Sequence, residues 1–139
     1  MREILFRAKR QNGEWREGSL LFYPDVNRAF ISSGDYSRIG GIVEVDKKTV
    51  GQYTGLTDKN GKKIFEGDIV ESKYTKKPYL VCFGEYTYTD EYGGGQDACG
   101  WYNKERDGYA TALGNPYAWA TVIGNIHDNP ELLEVSTDA

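Results

Sequence analysis

Apolar and polar residues alternate along most of this chain with a period of two, the spacing of a strand with one buried face. Ile4, Phe6 and Ala8 alternate with Leu5, Arg7 and Lys9. Asn12-Gly13 then predicts a type I′ reversal, which needs φ > 0 at both central residues. Trp15 to Phe22 is the return strand, so residues 4–22 form a hairpin that Pro24-Asp25 ends. A short strand is expected at Ala29-Phe30-Ile31, another at Ile42 to Val45, and a turn at Asp46-Lys47-Lys48.

The most densely patterned stretch runs from Gln52 to Glu71. Asn60-Gly61 predicts a second type I′ tip, solvated by Lys59, Lys62 and Lys63. Gly55 marks a bulge or a close backbone approach. Glu66-Gly67-Asp68 makes a further reversal, in which the Asp68 carboxylate can accept backbone N–H bonds. Ile69, Glu71 and Lys73 then alternate with Val70, Ser72 and Tyr74, the pattern of a half-buried strand.

Tyr79 to Phe83 is the most apolar run, and Pro78 suits its first position. Residues 84–116 are less regular. Tyr86 to Thr89 alternates, Gly93-Gly94-Gly95 breaks the pattern, a short strand is expected at Trp101-Tyr102, and Tyr109 to Leu113 reads as a short strand or a helical turn. This region reads as an insertion, with Tyr117 to Ile126 resuming the sheet and Gly124 at a bulge or a close packing point. Asn129-Pro130-Glu131 predicts a short terminal helix, with Asn129 at the N-cap. Ser136 to Ala139 should fray.

Eleven Tyr and seventeen Gly in 139 residues favour strands and turns over helices. The expectation is one all-β domain over residues 1–139, mainly antiparallel. It has SH3-like barrel elements, an inserted β-ribbon at about 84–116 and a short C-terminal helix. The net charge of −4 argues against a duplex-binding protein and against an anionic membrane surface. No run is long and apolar enough to span a bilayer. The N-terminus has no secretory pattern, so cytoplasm is the default compartment. Cys82 and Cys99 lack metal-ligand spacing; Cys82 is expected to be a small buried hydrophobe.

Four segments carry a family resemblance: Arg2 to Ala8; Val50 to Gly61; Lys63 to Val70; and Val122 to Ile126 followed by Asn129 to Leu133. In order and spacing they resemble the YopX family of phage and prophage proteins, along nearly the whole chain. Residues 74–117 carry no such match. The resemblance implies a β-rich, barrel-like protein made in the bacterial cytoplasm, with no assigned activity and no catalytic residues to carry over. It is compatible with a homo-oligomer.

The residues themselves offer little chemistry. His127 is the single histidine, and it has no second His or Cys nearby in sequence. No Ser lies in a nucleophile elbow, and Gly93-Gly94-Gly95 lacks the Lys-Ser/Thr pair of a phosphate loop. The carboxylate pairs Asp90-Glu91 and Asp25 with Asp35 are ordinary loop acids. Neither a metal, a cofactor nor a catalytic group is expected. The aromatic residues Tyr86, Tyr88, Tyr92, Trp101, Tyr102 and Tyr109 form the candidate contact surface. The first expectation is a non-catalytic module that self-associates or binds a host or phage protein. The alternative is a small barrel binding single-stranded nucleic acid through Lys59, Lys62, Lys63, Lys73, Lys76 and Lys77. The acidic residues of the insertion weigh against it.

Overall fold

The computed structural model describes residues 4–34 and 41–134. Arg2, Glu3, Asp35 and the segment Ser136 to Ala139 lie outside the described residues. Among the described residues, eleven strands make up two antiparallel sheets. Contacts divide the chain into two compact units, Met1–Gly55 and Leu56–Ala139.

The first unit holds β1 (Phe6–Lys9), β2 (Trp15–Tyr23), β3 (Arg28–Ser32), β4 (Ile42–Val45) and the start of β5 (Gly51–Thr57). With β6 (Lys63–Phe65) following β5, the strand order is β4-β3-β2-β1-β5-β6. The period-two pattern does what it predicts. In β4, Val43 and Val45 are buried while Ile42 and Glu44 are exposed. Ala8, Ala29, Ile31, Val43 and Val45 form this unit's core, with Phe6, Leu20 and Val50 packed against it. A single 3-10 turn, Lys47–Thr49, stands at the expected 46–48 reversal, with Asp46 accepting from the Lys48 amide.

The second unit holds β7 (Asp68–Ser72), β8 (Pro78–Thr89), β9 (Gly95–Lys104), β10 (Ala110–Ala112) and β11 (Ala120–Asn125), in the order β10-β9-β8-β7-β11. Its core is Ile64, Val70, Val81, Leu113 and Ala120, covered by Leu56, Tyr79, Trp101, Trp119 and Val122. β11 shifts register between Val122 and Gly124, the bulge the lone glycine predicts.

Several expectations change. Both sheets are open, not closed into a barrel: among the described residues no ladder joins β4 to β6 or β10 to β11. β6 and β10 have three residues each, too short to present the paired edges that closure needs. β7 is not half-buried: Asp68, Ile69, Val70 and Ser72 are all buried, so residues on both faces of this strand, which lies between β8 and β11, are covered. Residue 84 lies inside β8, so the irregular region grows out of a sheet strand. The expected terminal helix is one 3-10 turn, Pro130–Leu133. The Asn129 side chain does not cap it; it accepts from the Asn125 amide at 3.3 Å.

The Asn-Gly turns also differ from type I′. Gly13 and Gly61 have φ of 89° and 82°, but Asn12 and Asn60 are not at positive φ. Each is a type I turn followed by one left-handed glycine, the three-residue hairpin loop. Among the described residues the design occurs four times. Residues Arg10, Asp58, Asp90 and Glu105 each accept from a glycine amide three positions on, and each donates to a carbonyl four positions on. One positive φ per turn suffices, so only the glycine is obligatory.

Candidate functional site

β8 and β9 form the longest hairpin, twelve and ten residues, and only part of it is embedded in the sheet. β8 pairs with β7 through Pro78, Tyr79 and Leu80 alone. β9 pairs with β10 through Tyr102, Asn103 and Lys104 alone. Among the described residues, the stretch from Cys82 to Thr89 is laddered only to Gly95–Tyr102. Among the described residues, both edges are open from Phe83 to Thr89 and from Gly95 to Gly100, an arm of roughly 20 Å at strand spacing.

Register sorts the side chains by face. On one face the facing pairs are Cys82 with Tyr102, Gly84 with Gly100, Tyr86 with Ala98, and Tyr88 with Gln96. The two glycines leave a gap in this row, and both take up the positive φ that only glycine adopts readily, 142° and 151°. Aromatic rings span it. Tyr86 and Tyr102 stack at 4.7 Å between centroids and 26° between planes, and Tyr88 lies 6.2 Å from Tyr86. An aromatic ring laid across a strand glycine restores packing that the missing side chain cannot give. On the other face Phe83 meets Trp101 edge-on at 4.9 Å. Phe83 is 55% exposed.

The six candidate aromatics therefore divide. Tyr86, Tyr88 and Tyr102 come together in one row. Trp101 faces the opposite way and covers the second core. Tyr92 stands at the arm's tip, 89% exposed, and Tyr109 lies in the β9–β10 turn. At the tip the Asp90 carboxylate accepts from the amides of Tyr92 and Gly94 and from the Gln96 side chain, at 2.8–2.9 Å. The Gln96 bond first, then the two amides, hold its carboxyl below the usual carboxylate range.

Two groups on the arm, Cys82 and Tyr102, have shifted proton affinities. Burial pushes the Cys82 thiol above its ordinary value, outweighing the Tyr102 hydroxyl and Lys104, which act the other way. A protonated thiol is a poor nucleophile. Cys82 is half-buried rather than buried, because it lies on the arm's aromatic face. Burial likewise raises Tyr102, aided by Cys82 and Glu66. A shallow depression of about 490 Å³ on the arm is lined by Glu85, Tyr86, Thr87, Asp97, Ala98 and Cys99. Its ionisable lining residues are Glu85, Tyr86, Asp97 and Cys99. His127 is exposed, in the turn after β11, with its ring near Gly67. Among the described residues, no three His, Cys, Asp or Glu gather as metal ligands, and no helix is long and apolar enough to cross a membrane. Cys82 and Cys99 are free thiols.

Asp68 is the turn acceptor that its position predicts: the Phe65 amide donates to it at 2.8 Å. The more informative acid is Asp58, which the sequence reading passed over. It is 2% exposed. Its Oδ1 accepts from the Asn60 and Lys62 amides and its Oδ2 from the Val122 amide, each at 2.9 Å. One carboxylate thus closes its own turn and ties it to β11. Asp-x-x-Gly occurs at 58–61 and 90–93, but also at 97–100 inside β9, so the pattern alone does not mark the turn.

Comparison with known proteins bears on the family and the fold. The family model described as YopX protein matches residues 5–134. A comparison with curated proteins gives no match. Among solved structures, the crystal structure of protein EF1440 from Enterococcus faecalis is similar, with 27% identity and a TM-score of 0.55. The match covers 96% of this chain and 100% of that one.

Proposed function

This chain belongs to the YopX protein family, and on that premise we propose that it is a non-catalytic interaction module whose contact surface is the β8–β9 arm. It is a phage or prophage protein acting in the bacterial cytoplasm, and its partner is a protein: another copy of itself, or a host or phage polypeptide. One observation carries the reading, an arm with stacked, partly exposed tyrosines and two unpaired edges. An isolated two-stranded ribbon is marginal in water, and open edges are templates for pairing. Tyrosine supplies large, stiff contact area at low entropic cost.

Light scattering after size exclusion tests it, on the chain and on a Tyr86→Ser/Tyr88→Ser variant. The expected result is a species heavier than the 15.7 kDa monomer for the chain, reduced in the variant. Identical assemblies for both would remove the arm from the contact surface.

Single-stranded nucleic acid is the second reading, favoured by the lysines of the 58–62 turn and the β7–β8 loop. Strand binding needs rings and cations in one groove. Here the tyrosine row carries Glu85, Asp90, Glu91 and Asp97 around it and no lysine or arginine between residues 82 and 101. A salt titration against a single-stranded oligonucleotide decides the matter; tight binding at low salt would replace the protein-contact reading.

A further inference from the structure

The second unit is polar in charge along its strands. β7 and β8 are antiparallel, with Ile69 beside Leu80 and Glu71 beside Pro78. Beyond Val81 the arm therefore leaves past the β7 N-terminus. The β7–β8 loop, with Lys73, Lys76 and Lys77, lies at the opposite end. β11 begins at that same end, since Ala120 is beside Ser72. The Lys59 amide donates to the Ala120 carbonyl at 3.0 Å, and the Lys73 amide to the Trp119 carbonyl at 2.9 Å. Two lysine-bearing turns thus flank the start of one strand. Lys59, Lys62, Lys73, Lys76 and Lys77 are all exposed. Of these, Lys77 has a carboxylate at 3.7 Å, Glu105. The other end is an arm whose charged residues are all acidic.

Resting on the interaction reading above, we propose that the arm's partner is the lysine end of a second copy of this chain, giving head-to-tail association. Charge complementarity argues for this occupant. The acidic arm and the lysine turns sit at opposite ends of one sheet, so the arm reaches them on a neighbour. Two arms set against each other would oppose like charges, which disfavours a two-fold arm–arm contact. A heterologous contact leaves one arm and one lysine end unused in every open complex, so it propagates until a ring closes or a filament forms.

Charge reversal tests the proposal. One variant is Glu85→Lys/Glu91→Lys; the other is Lys59→Glu/Lys73→Glu. The chain should assemble at low salt, with association weakening about tenfold or more as salt screens the exposed charges. Each variant alone should stay monomeric. Mixed in equal amounts, the two should assemble again, which also shows that both are folded. Assembly of Lys59→Glu/Lys73→Glu alone, at wild-type strength, would overturn the lysine end as the partner while leaving the arm reading intact. A wild-type chain that stays monomeric at low salt would overturn the self-contact itself. Failure of the interaction reading is a separate result: assembly that the Tyr86→Ser/Tyr88→Ser variant leaves unchanged.

Discussion

Asp58 shows how one residue fixes more structure than its neighbours suggest. Burial opposes its ionisation, but amides from Val122, Lys62 and Asn60, with the Lys62 charge, outweigh burial and hold its carboxyl below the usual range. Asp58→Asn retains one acceptor oxygen and turns an NH₂ group toward remaining amide donors. The expected loss is about 1–3 kcal/mol, read by urea unfolding at neutral pH. The pH dependence has a definite sign. Between the depressed native value and the ordinary unfolded value near ~3.9, the unfolded chain binds more protons. Stability from Asp58 is therefore complete above that window and is lost as pH falls through it. Unfolding free energies from pH 7 down to acid should fall more steeply for the chain than for Asp58→Asn. A parallel pair of curves would deny the carboxylate this role. The turn itself was legible, because Asn-Gly marks a reversal whichever turn type is used. Its dihedrals were not, since Asn tolerates either sign of φ and the ladder register decides. The tie to Val122 spans 64 positions and no local pattern encodes it.

At the scale of elements, strand positions followed from alternation because each buried face needs it. Val43 and Val45 in β4, and Pro78 at the first position of β8, are cases where periodicity and proline chemistry agreed with the structure. The two-faced burial of β7 is set by what packs on each side of its sheet, and a run as short as Asp68–Val70 cannot signal that. The arm was half legible. Tyr86 to Thr89 and Trp101-Tyr102 alternate, but their pairing across the Gly93-Gly94 turn is a register fact. The arm also makes a prediction about stability. Its amides lie in a two-stranded ladder without core beneath the tip, so they should open without global unfolding. In dilute protein, hydrogen exchange at Glu85–Thr89 and Gln96–Cys99 should be much faster than at Ile69–Ser72. Equal protection in both sets would mean that the arm is an integral part of the core sheet.

For the molecule as a whole, the all-β class followed from composition and alternation, whereas barrel closure did not. Closure depends on which distant edges pair, and β6 and β10 are too short to supply them. Candidate aromatics were legible as a crowd but not as an arrangement: sequence could not separate the Tyr86–Tyr88–Tyr102 row from Trp101 on the other face. The functional account rests on the arm being a contact surface, and hydrogen exchange followed as the protein is concentrated tests that most directly. The account predicts that protection at residues 83–99 rises with concentration at low salt and is lost again at high salt. Arm amides that exchange at the same fast rate at every concentration, while the chain assembles through other residues, would contradict it.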